Sequence, residues 1–156
     1  MTLGVNYYNS DLDSFNYLNE RSFQLLNESY SNVVSVAERN RLTASYYNNK
    51  AVYLQSKGIV KEALVYMDST ISYSNELDDD TVKATYYNNL GTMYQDAGDV
   101  YNSIRNHEKA IEFRVKIKDT LRIANSYNNI GFVYFKQKLF DKALDYFRKS
   151  VALYQS

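Results

Sequence analysis

The chain has 156 residues, of which 45% are hydrophobic, so it suits one ordinary domain with its own core. Lys and Arg number 18, as do Asp and Glu, and no basic stripe is present, which argues against a nucleic-acid partner or an anionic membrane surface. Because the chain has no Cys, disulfides, thiolate metal sites and a Cys nucleophile are excluded.

The composition favours helices. There is no Pro and there are only five Gly, so long uninterrupted helices are predicted. No apolar run reaches the length of a membrane span, and the first residues lack the basic start and apolar stretch of a signal peptide. We therefore expect no direct membrane insertion. The cytoplasm is the favoured compartment, and the periplasm is the alternative if the chain comes from a sensor protein.

Residues 1–40 are predicted to form a partial, degenerate repeat. The dipeptide Ser10-Asp11 echoes Gly98-Asp99, which follows a later predicted helix. We therefore expect a turn near residue 10 and a chain that opens inside a repeat. A helix is predicted over residues 12–26, with a stripe at helical spacing made of Leu12, Phe15, Leu18, Ser22, Leu25 and Leu26.

Extra residues between Asn27 and Ala37 separate this helix from the next one. The segment is too rich in Val for a solvated loop. We expect extra helical turns at the start of the next helix, with a cap near Ser31 or Asn32.

Further along, the phrase Tyr-Asn-Asn recurs at a constant interval. Its copies begin at Tyr47, Tyr87 and Tyr127, which are 40 residues apart. A fixed period of this length is the signature of an array of one repeated unit. The pattern predicts a single array with three full repeats, at 41–80, 81–120 and 121–156.

Each repeat is predicted to be two helices joined by a tight turn. In the second repeat, Asp79 or Asp80 caps the first helix, and Gly98 ends it as a residue that is free to take a positive φ. Asp99 then opens the second helix. The inner face of the first helix is predicted to be Ala84, Tyr87, Gly91 and Tyr94.

Small residues are predicted where two helices cross closely. Gly91 and Gly131 lie in the middle of helices, where Gly costs about 1 kcal/mol relative to Ala. That cost is reasonable if a neighbouring helix leaves no room for a larger side chain. His107 stands where Met67 and Phe147 stand in the other repeats. As the only His, it makes neither a catalytic triad nor a metal site, and we expect it to be a packing residue.

The third repeat shows a family resemblance most clearly, in Asn129-Ile130-Gly131-Phe132-Val133-Tyr134 and Asp141-Lys142-Ala143-Leu144. With the fixed period, these motifs resemble a tetratricopeptide repeat (TPR) protein across 41–156, with a weaker partial match over 3–26. The resemblance implies an all-α fold, a TPR-type α-solenoid of antiparallel helix pairs in a right-handed superhelix. The common TPR length is ~34 residues. The longer period here is similar to the TPRs of kinesin light chains, bacterial peptide-sensing regulators and sensor kinases with TPR input domains.

The resemblance also implies a concave peptide groove, built from the first helix of each pair. Asn48, Asn88 and Asn128 are expected to face it, and an Asn amide has a donor and an acceptor for a peptide main chain. The carboxylate clamp of chaperone-binding TPRs needs Lys and Arg at such positions. Only Lys136 is nearby, so that mode is disfavoured. The flanking groove residues are Thr85, Asn125, Thr92 and Gln95, with Phe132 and Phe135 as an apolar spot for an aromatic or aliphatic anchor.

Structural roles are predicted for the remaining repeated residues. Asn49, Asn89 and Asn129 are expected to hydrogen-bond across a helix turn or to a neighbouring repeat, and the Tyr stripe is expected to be core packing. The acidic run at 78–80 lacks the alternating ligands and Gly of a calcium loop, and no glycine-rich phosphate loop is present. We therefore expect no metal, no cofactor and no catalytic residue.

The predicted function is a non-catalytic scaffold that binds a protein or peptide in the groove. The alternative is a sensory or regulatory input domain of a longer bacterial signalling protein, such as a sensor kinase or a transcription regulator. The chain is also predicted to be an excised fragment, or to form a homo-oligomer through uncapped ends.

Overall fold

Helices make up the regular structure of this protein. The computed structural model describes residues 3–28 and 34–155, with side chains from residue 11 onward. No strand occurs among these residues, and the predicted all-α architecture is confirmed. The helices are α1 (Leu3–Glu28), α2 (Val36–Ser56), α3 (Val60–Asn75), α4 (Asp80–Asp96), α5 (Val100–Lys116), α6 (Thr120–Lys136) and α7 (Phe140–Tyr154).

The helices form two compact units, Met1–Leu77 and Asp78–Ser156, which we call unit 1 and unit 2. In unit 1, α2 packs against both α1 and α3. In unit 2, α4 pairs with α5 and α6 pairs with α7, while α6 also contacts α5 and α4. The neighbours are antiparallel, as predicted for the two helices of each repeat. In the described ranges, no helix combines the length and the apolar character that a membrane crossing requires.

Helix α1 differs from its prediction. The chain stays helical through Ser10, where the sequence predicts a turn. Ser10 takes the place of Gly98, and a residue with a side chain enters the left-handed region only at a cost. The predicted helix over residues 12–26 is confirmed, and within its apolar stripe Leu26 is buried while Phe15 and Leu18 are exposed.

Helix α1 contacts α2 through a partly polar face. The Glu20 carboxylate accepts a hydrogen bond from the Tyr46 hydroxyl at 2.7 Å and pairs with Lys50 Nζ at 2.5 Å. The rings of Phe23 and Tyr46 stack with their centroids 3.9 Å apart. The predicted stripe adjoins this contact, because Leu26 is buried and Phe15, Leu18 and Ser22 line a cleft between α1 and α2.

Helix α2 begins later than predicted. Its cap is Ser35, whose Oγ accepts from Glu38 N at 3.2 Å, and the Ser-x-x-Glu spacing is that of a capping box. A cap near Ser31 or Asn32 is therefore wrong for this helix, and those two residues lie outside the described ranges. The expected lengthening is present, because α2 has 21 residues and α4 has 17.

Four turns share one geometry. In each, the positive-φ residue that follows the helix donates its N–H to the carbonyl three residues before it. The next residue donates its N–H to the carbonyl five residues before it. This Schellman arrangement satisfies the last carbonyls of a helix, and it requires a positive φ. The predicted positive φ at Gly98 is confirmed. The residues at positive φ are Gly58 (78°), Gly98 (80°), Lys118 (57°) and Lys138 (60°).

These turns lead to a stability prediction. We expect Gly98→Ala to lower the free energy of unfolding by about 1 kcal/mol, because a side chain at positive φ strains the backbone. A clash is not involved, since a Cβ at Gly98 meets nothing within 4 Å. Lys138→Gly removes the same strain and should raise stability by up to about 1 kcal/mol. Urea unfolding of both variants beside the parent protein measures the two effects. A Gly98→Ala variant as stable as the parent protein would show that a side chain causes no backbone strain at this position.

Aspartates begin three helices of unit 2. Asp79, Asp99 and Asp119 each accept a hydrogen bond at Oδ1 from the backbone N–H three residues later, at 3.0, 3.0 and 3.1 Å. The bond satisfies an N–H that the helix itself leaves unpaired. The predicted caps of α4 and α5 are confirmed, with Asp79 rather than Asp80 as the cap of α4.

The helix pairs cross closely at the predicted small residues. A Cβ on Gly91 would lie 2.9 Å from the His107 ring, and a Cβ on Gly131 would lie 2.7 Å from the Phe147 ring. The His107 side chain is 0% exposed, and neither ring nitrogen has a hydrogen-bond partner. His107 is therefore a packing residue, as predicted.

Candidate functional site

The ligand-binding residues predicted in unit 2 lie along one side of α4 and one side of α6. Within each helix they are spaced at three or four residues, which places them on a common face. The two helices meet where Asn129 Nδ2 donates to Asn88 Oδ1 at 3.3 Å. We call this surface the α4–α6 face, and it comprises Thr85, Asn88, Thr92 and Gln95 of α4 with Asn125, Asn128, Phe132 and Phe135 of α6.

The side-chain oxygen of Asn88 accepts from two donors. Asn129 Nδ2 lies 3.3 Å from it and Arg114 Nη1 lies 3.4 Å from it. The structural role predicted for Asn129 is confirmed by this bond. The role predicted for Asn49 is confirmed in unit 1, where Asn49 Nδ2 donates to Asn19 Oδ1 at 3.2 Å.

Arg114 reaches this site from α5 and is only 5% exposed. Its Nη1 also donates to the Arg122 carbonyl at 2.7 Å and to Ser126 Oγ, while its Nε has no hydrogen-bond partner. Among the described side chains, no carboxylate forms an ion pair with it. Burial lowers the pKa of Arg114. The hydrogen bonds of Nη1 offset part of the cost of burying this cation.

No functional or structural role for Arg114 is predicted from the sequence. Counted in steps of 40 residues, Arg114 aligns with Ser74 and Tyr154. A long cation thus stands where the first repeat has the buried Ser74 and the third repeat has the exposed Tyr154. That replacement is the signal that could have identified it.

The two Thr residues of the face use their hydroxyl protons inside α4. Thr85 Oγ1 donates to the Thr81 carbonyl at 3.0 Å, and Thr92 Oγ1 donates to the Asn88 carbonyl at 3.2 Å. A hydroxyl that donates in this way can still accept. These two hydroxyls therefore keep acceptor capacity only, and Gln95 of the same helix is half-buried.

The two Asn residues of α6 on this face differ in their surroundings. Asn125 Oδ1 accepts from the Tyr154 hydroxyl of α7. Asn128 is exposed, and no hydrogen bond joins its side chain to another described residue. The whole amide of Asn128 is therefore available for hydrogen bonding, and part of the amide of Asn125 is available.

Phe132 and Phe135, predicted to form an apolar spot, lie together at the end of α6. They are 44% and 50% exposed, and their ring centroids are 6.2 Å apart. The exposed Phe140 ring meets Phe135 edge-on at 5.8 Å. Lys136 Nζ lies 5.2 Å from the centre of the Phe132 ring. Clustered exposed rings of this kind are typical of sites that receive an apolar side chain.

Asn48, the remaining predicted groove residue, belongs to unit 1 and is half-buried. Its Nδ2 donates to Asn49 Oδ1 at 3.4 Å. A cleft of about 350 Å³ opens between α1 and α2, and Asn48 does not line it. Its lining includes Asn19, Asn49, Phe15, Leu18 and Leu42.

Comparisons with known proteins agree with this architecture. A family model described as tetratricopeptide repeat matches residues 81–156. The crystal structure of BtubC (BKLC) from P. vanneervenii is similar, with a TM-score of 0.77 and 22% identity over 94% of this chain. The match covers 57% of BtubC, so this chain spans little more than half the length of that protein.

Two crystal structures of MamA are also similar. One has a TM-score of 0.61 and 17% identity, covering 99% of this chain and 96% of that one. The other has a TM-score of 0.61 and 18% identity, covering 97% of this chain and 77% of that one. No curated protein matches this sequence. At these identities the structural likenesses show the fold.

Proposed function

We propose that this chain, which is a tetratricopeptide repeat protein, is a non-catalytic scaffold that binds a protein or peptide on its α4–α6 face. Tetratricopeptide repeats are protein-interaction modules, and this accounts for the general part of the proposal. The 40-residue subclass stays a prediction.

One observation carries the specific part. Asn128, Phe132 and Phe135 are exposed along one side of α6, next to the amide of Asn88 on α4. An amide row can hydrogen-bond to a peptide main chain, and the paired rings can hold an apolar anchor side chain. A polar strip that ends in an aromatic cluster fits an extended or helical peptide with one apolar residue.

The alternative is an input domain of a longer signalling protein, in which the same face would bind and an attached module would respond. A kinase, DNA-binding or membrane-spanning segment in the parent reading frame would favour this alternative. Self-association through uncapped ends of the array also stays a prediction.

A substitution series tests the proposed face. We expect Asn128→Ala to weaken a peptide selected from a random displayed library by about 1–3 kcal/mol, because peptide polar groups lose their partner. Stability should hardly change, since Asn128 is exposed. Phe135→Ala should weaken only peptides that carry an apolar anchor. Calorimetric titration measures affinity and thermal unfolding measures stability.

The matched control is Arg105→Ala, because Arg105 is exposed on α5 and lies outside the α4–α6 face. It should leave peptide affinity unchanged. If Asn128→Ala and Phe135→Ala bind the selected peptides as tightly as the parent protein does, the α4–α6 face is not the binding surface.

A further inference from the structure

We propose that Arg114 is a positioning residue that turns the Asn88 amide so that its N–H side faces the ligand, and that the ligand places an oxygen acceptor there. This inference rests on the proposed function and deepens it. It concerns one position of the α4–α6 face and the chemistry that this position recognises.

The orientation of Asn88 follows from the chemistry of its partners. A guanidinium has five N–H donors and no acceptor. Arg114 Nη1 has two N–H groups and three acceptors, so its long bond of 3.4 Å to the Asn88 oxygen shares a proton with the closer Arg122 carbonyl or Ser126 Oγ. Asn129 then donates its Nδ2 to the same oxygen at 3.3 Å. Both acceptor directions of this oxygen are thus used inside unit 2.

The other end of the amide is available. Asn88 Nδ2 has no hydrogen-bond partner among the described residues, and Asn88 is only half-buried. An amide nitrogen carries two donors and no acceptor. A ligand group that meets Asn88 must consequently accept a hydrogen bond. The repeat pattern predicts both a donor and an acceptor role for Asn88 toward a peptide, whereas the arrangement around Arg114 leaves it the donor role.

The charge of Arg114 adds a preference. The guanidinium is almost fully buried and has no carboxylate in an ion pair. The nearby Asp119 pairs with Arg122 at 2.8 Å instead. The Asp119 carboxylate and the Arg122 guanidinium both act on Arg114 through space. A buried cation that no carboxylate contacts favours negative charge close to it. The acceptor oxygen can come from a main-chain carbonyl or from a carboxylate, and this charge favours the carboxylate.

Asn128 provides an internal comparison. It is the equivalent residue one repeat later, it is exposed, and no described residue hydrogen-bonds to its side chain. Its amide is free to turn either end toward a ligand. Asn88 and Asn128 should therefore behave differently in one and the same molecule.

Nuclear magnetic resonance of the ¹⁵N-labelled chain tests the inference through the side-chain amides. We expect relaxation of Asn88 Nδ2 to show an ordered group and that of Asn128 Nδ2 a mobile one. Titration with sodium acetate should shift the Asn88 Nδ2 signals to a plateau, whereas the Asn128 Nδ2 signals should reach no plateau. Sodium chloride at equal ionic strength is the control. N-methylacetamide is the neutral arm. If the titration midpoint is lower for acetate than for N-methylacetamide, the ligand group at this position is a carboxylate. If the two midpoints are equal, it is a main-chain carbonyl.

Two variants separate positioning from mere packing. Arg114→Met keeps the length of the side chain and removes its donors, so it should make Asn88 as mobile as Asn128 and raise the acetate midpoint about tenfold, equivalent to about 1.4 kcal/mol. If Arg114→Met does not fold, Asn129→Ala removes the second donor from a half-buried position and should raise the midpoint about threefold, in line with one neutral hydrogen bond.

The inference is overturned if Asn88 and Asn128 respond alike in the parent protein, or if neither variant changes the Asn88 midpoint. Its failure is distinct from failure of the proposed function. A library selection that yields no peptide, while Asn88 still responds to acetate, overturns the peptide-binding proposal and supports the orientation of the amide.

Discussion

Replacing Gly91 with Ala is expected to lower the free energy of unfolding by about 1–2 kcal/mol, although Ala is the better helix former by about 1 kcal/mol. The reason is the His107 ring, which would lie 2.9 Å from the new Cβ. The ring is fully buried, so it can move only by displacing its neighbours. Overpacking then outweighs the gain in helix propensity.

The chain itself suggests the compensating change. Ala51 and Met67 are both fully buried, and they occupy the places of Gly91 and His107 in the first repeat. A flexible Met tolerates a methyl group that a planar ring does not. We therefore expect Gly91→Ala/His107→Met to recover most of the lost stability. A double-mutant cycle from urea unfolding measures the coupling, expected at about 1–2 kcal/mol. Additive effects, or a Gly91→Ala variant more stable than the parent, would show that the ring does not limit the site.

Acid should destabilise this protein through His107. Burial, with a smaller contribution from the charge of Arg114, lowers the pKa of His107 to about 4. An unfolded chain has a His pKa of about 6.5. Between these values the unfolded state binds more protons than the folded state, so stability is complete above the unfolded pKa and falls as the pH drops toward the folded one. The loss is expected to be on the order of 2–3 kcal/mol.

The matched variant for this effect is His107→Phe. It keeps a ring opposite a helical Gly, as Phe147 does at Gly131, and removes the titrating group. Urea unfolding of both proteins between pH 7 and pH 5 should show a slope for the parent that the variant lacks. Equal slopes would show that His107 is not the source of acid sensitivity in this range, because Asp99 and Asp119, whose pKa values are lowered in the fold, act only at lower pH.

The parts of the fold that could be predicted are those that repeat. A period of 40 residues with Asp, Gly and Tyr at fixed places determines the helix pairs, the caps at Asp79 and Asp99, and the crossing at Gly91. Each of these features depends on residues close in sequence or one repeat away. Comparing one repeat with the next is then sufficient to find them.

The parts that could not be predicted lack a second copy. Helix α1 carries an apolar stripe, but its polar contacts depend on what α2 presents, and α2 presents Tyr46 and Lys50 to Glu20. Lys118 and Lys138 take a positive φ, which a Lys residue in the sequence does not predict. Arg114 has no counterpart in the other repeats, so the period marks its position as a departure but predicts no role for it. At the candidate site, the repeat predicts which side of a helix a residue occupies, and single residues decide which end of an amide is free.

The shared geometry of the turns has a consequence for how such a chain can change in length. In unit 2 the positive-φ residues Gly98, Lys118 and Lys138 are 20 residues apart, so the backbone repeats once per helix while the side chains repeat once per pair. Gain or loss of a single helix and turn would leave the backbone geometry intact. It would, however, exchange the roles of first and second helices for all residues after it, and buried positions such as Ala124 and Ser150 would change partners. Only gain or loss of an even number of helices preserves this pattern. The length of such a protein is therefore expected to change by whole helix pairs.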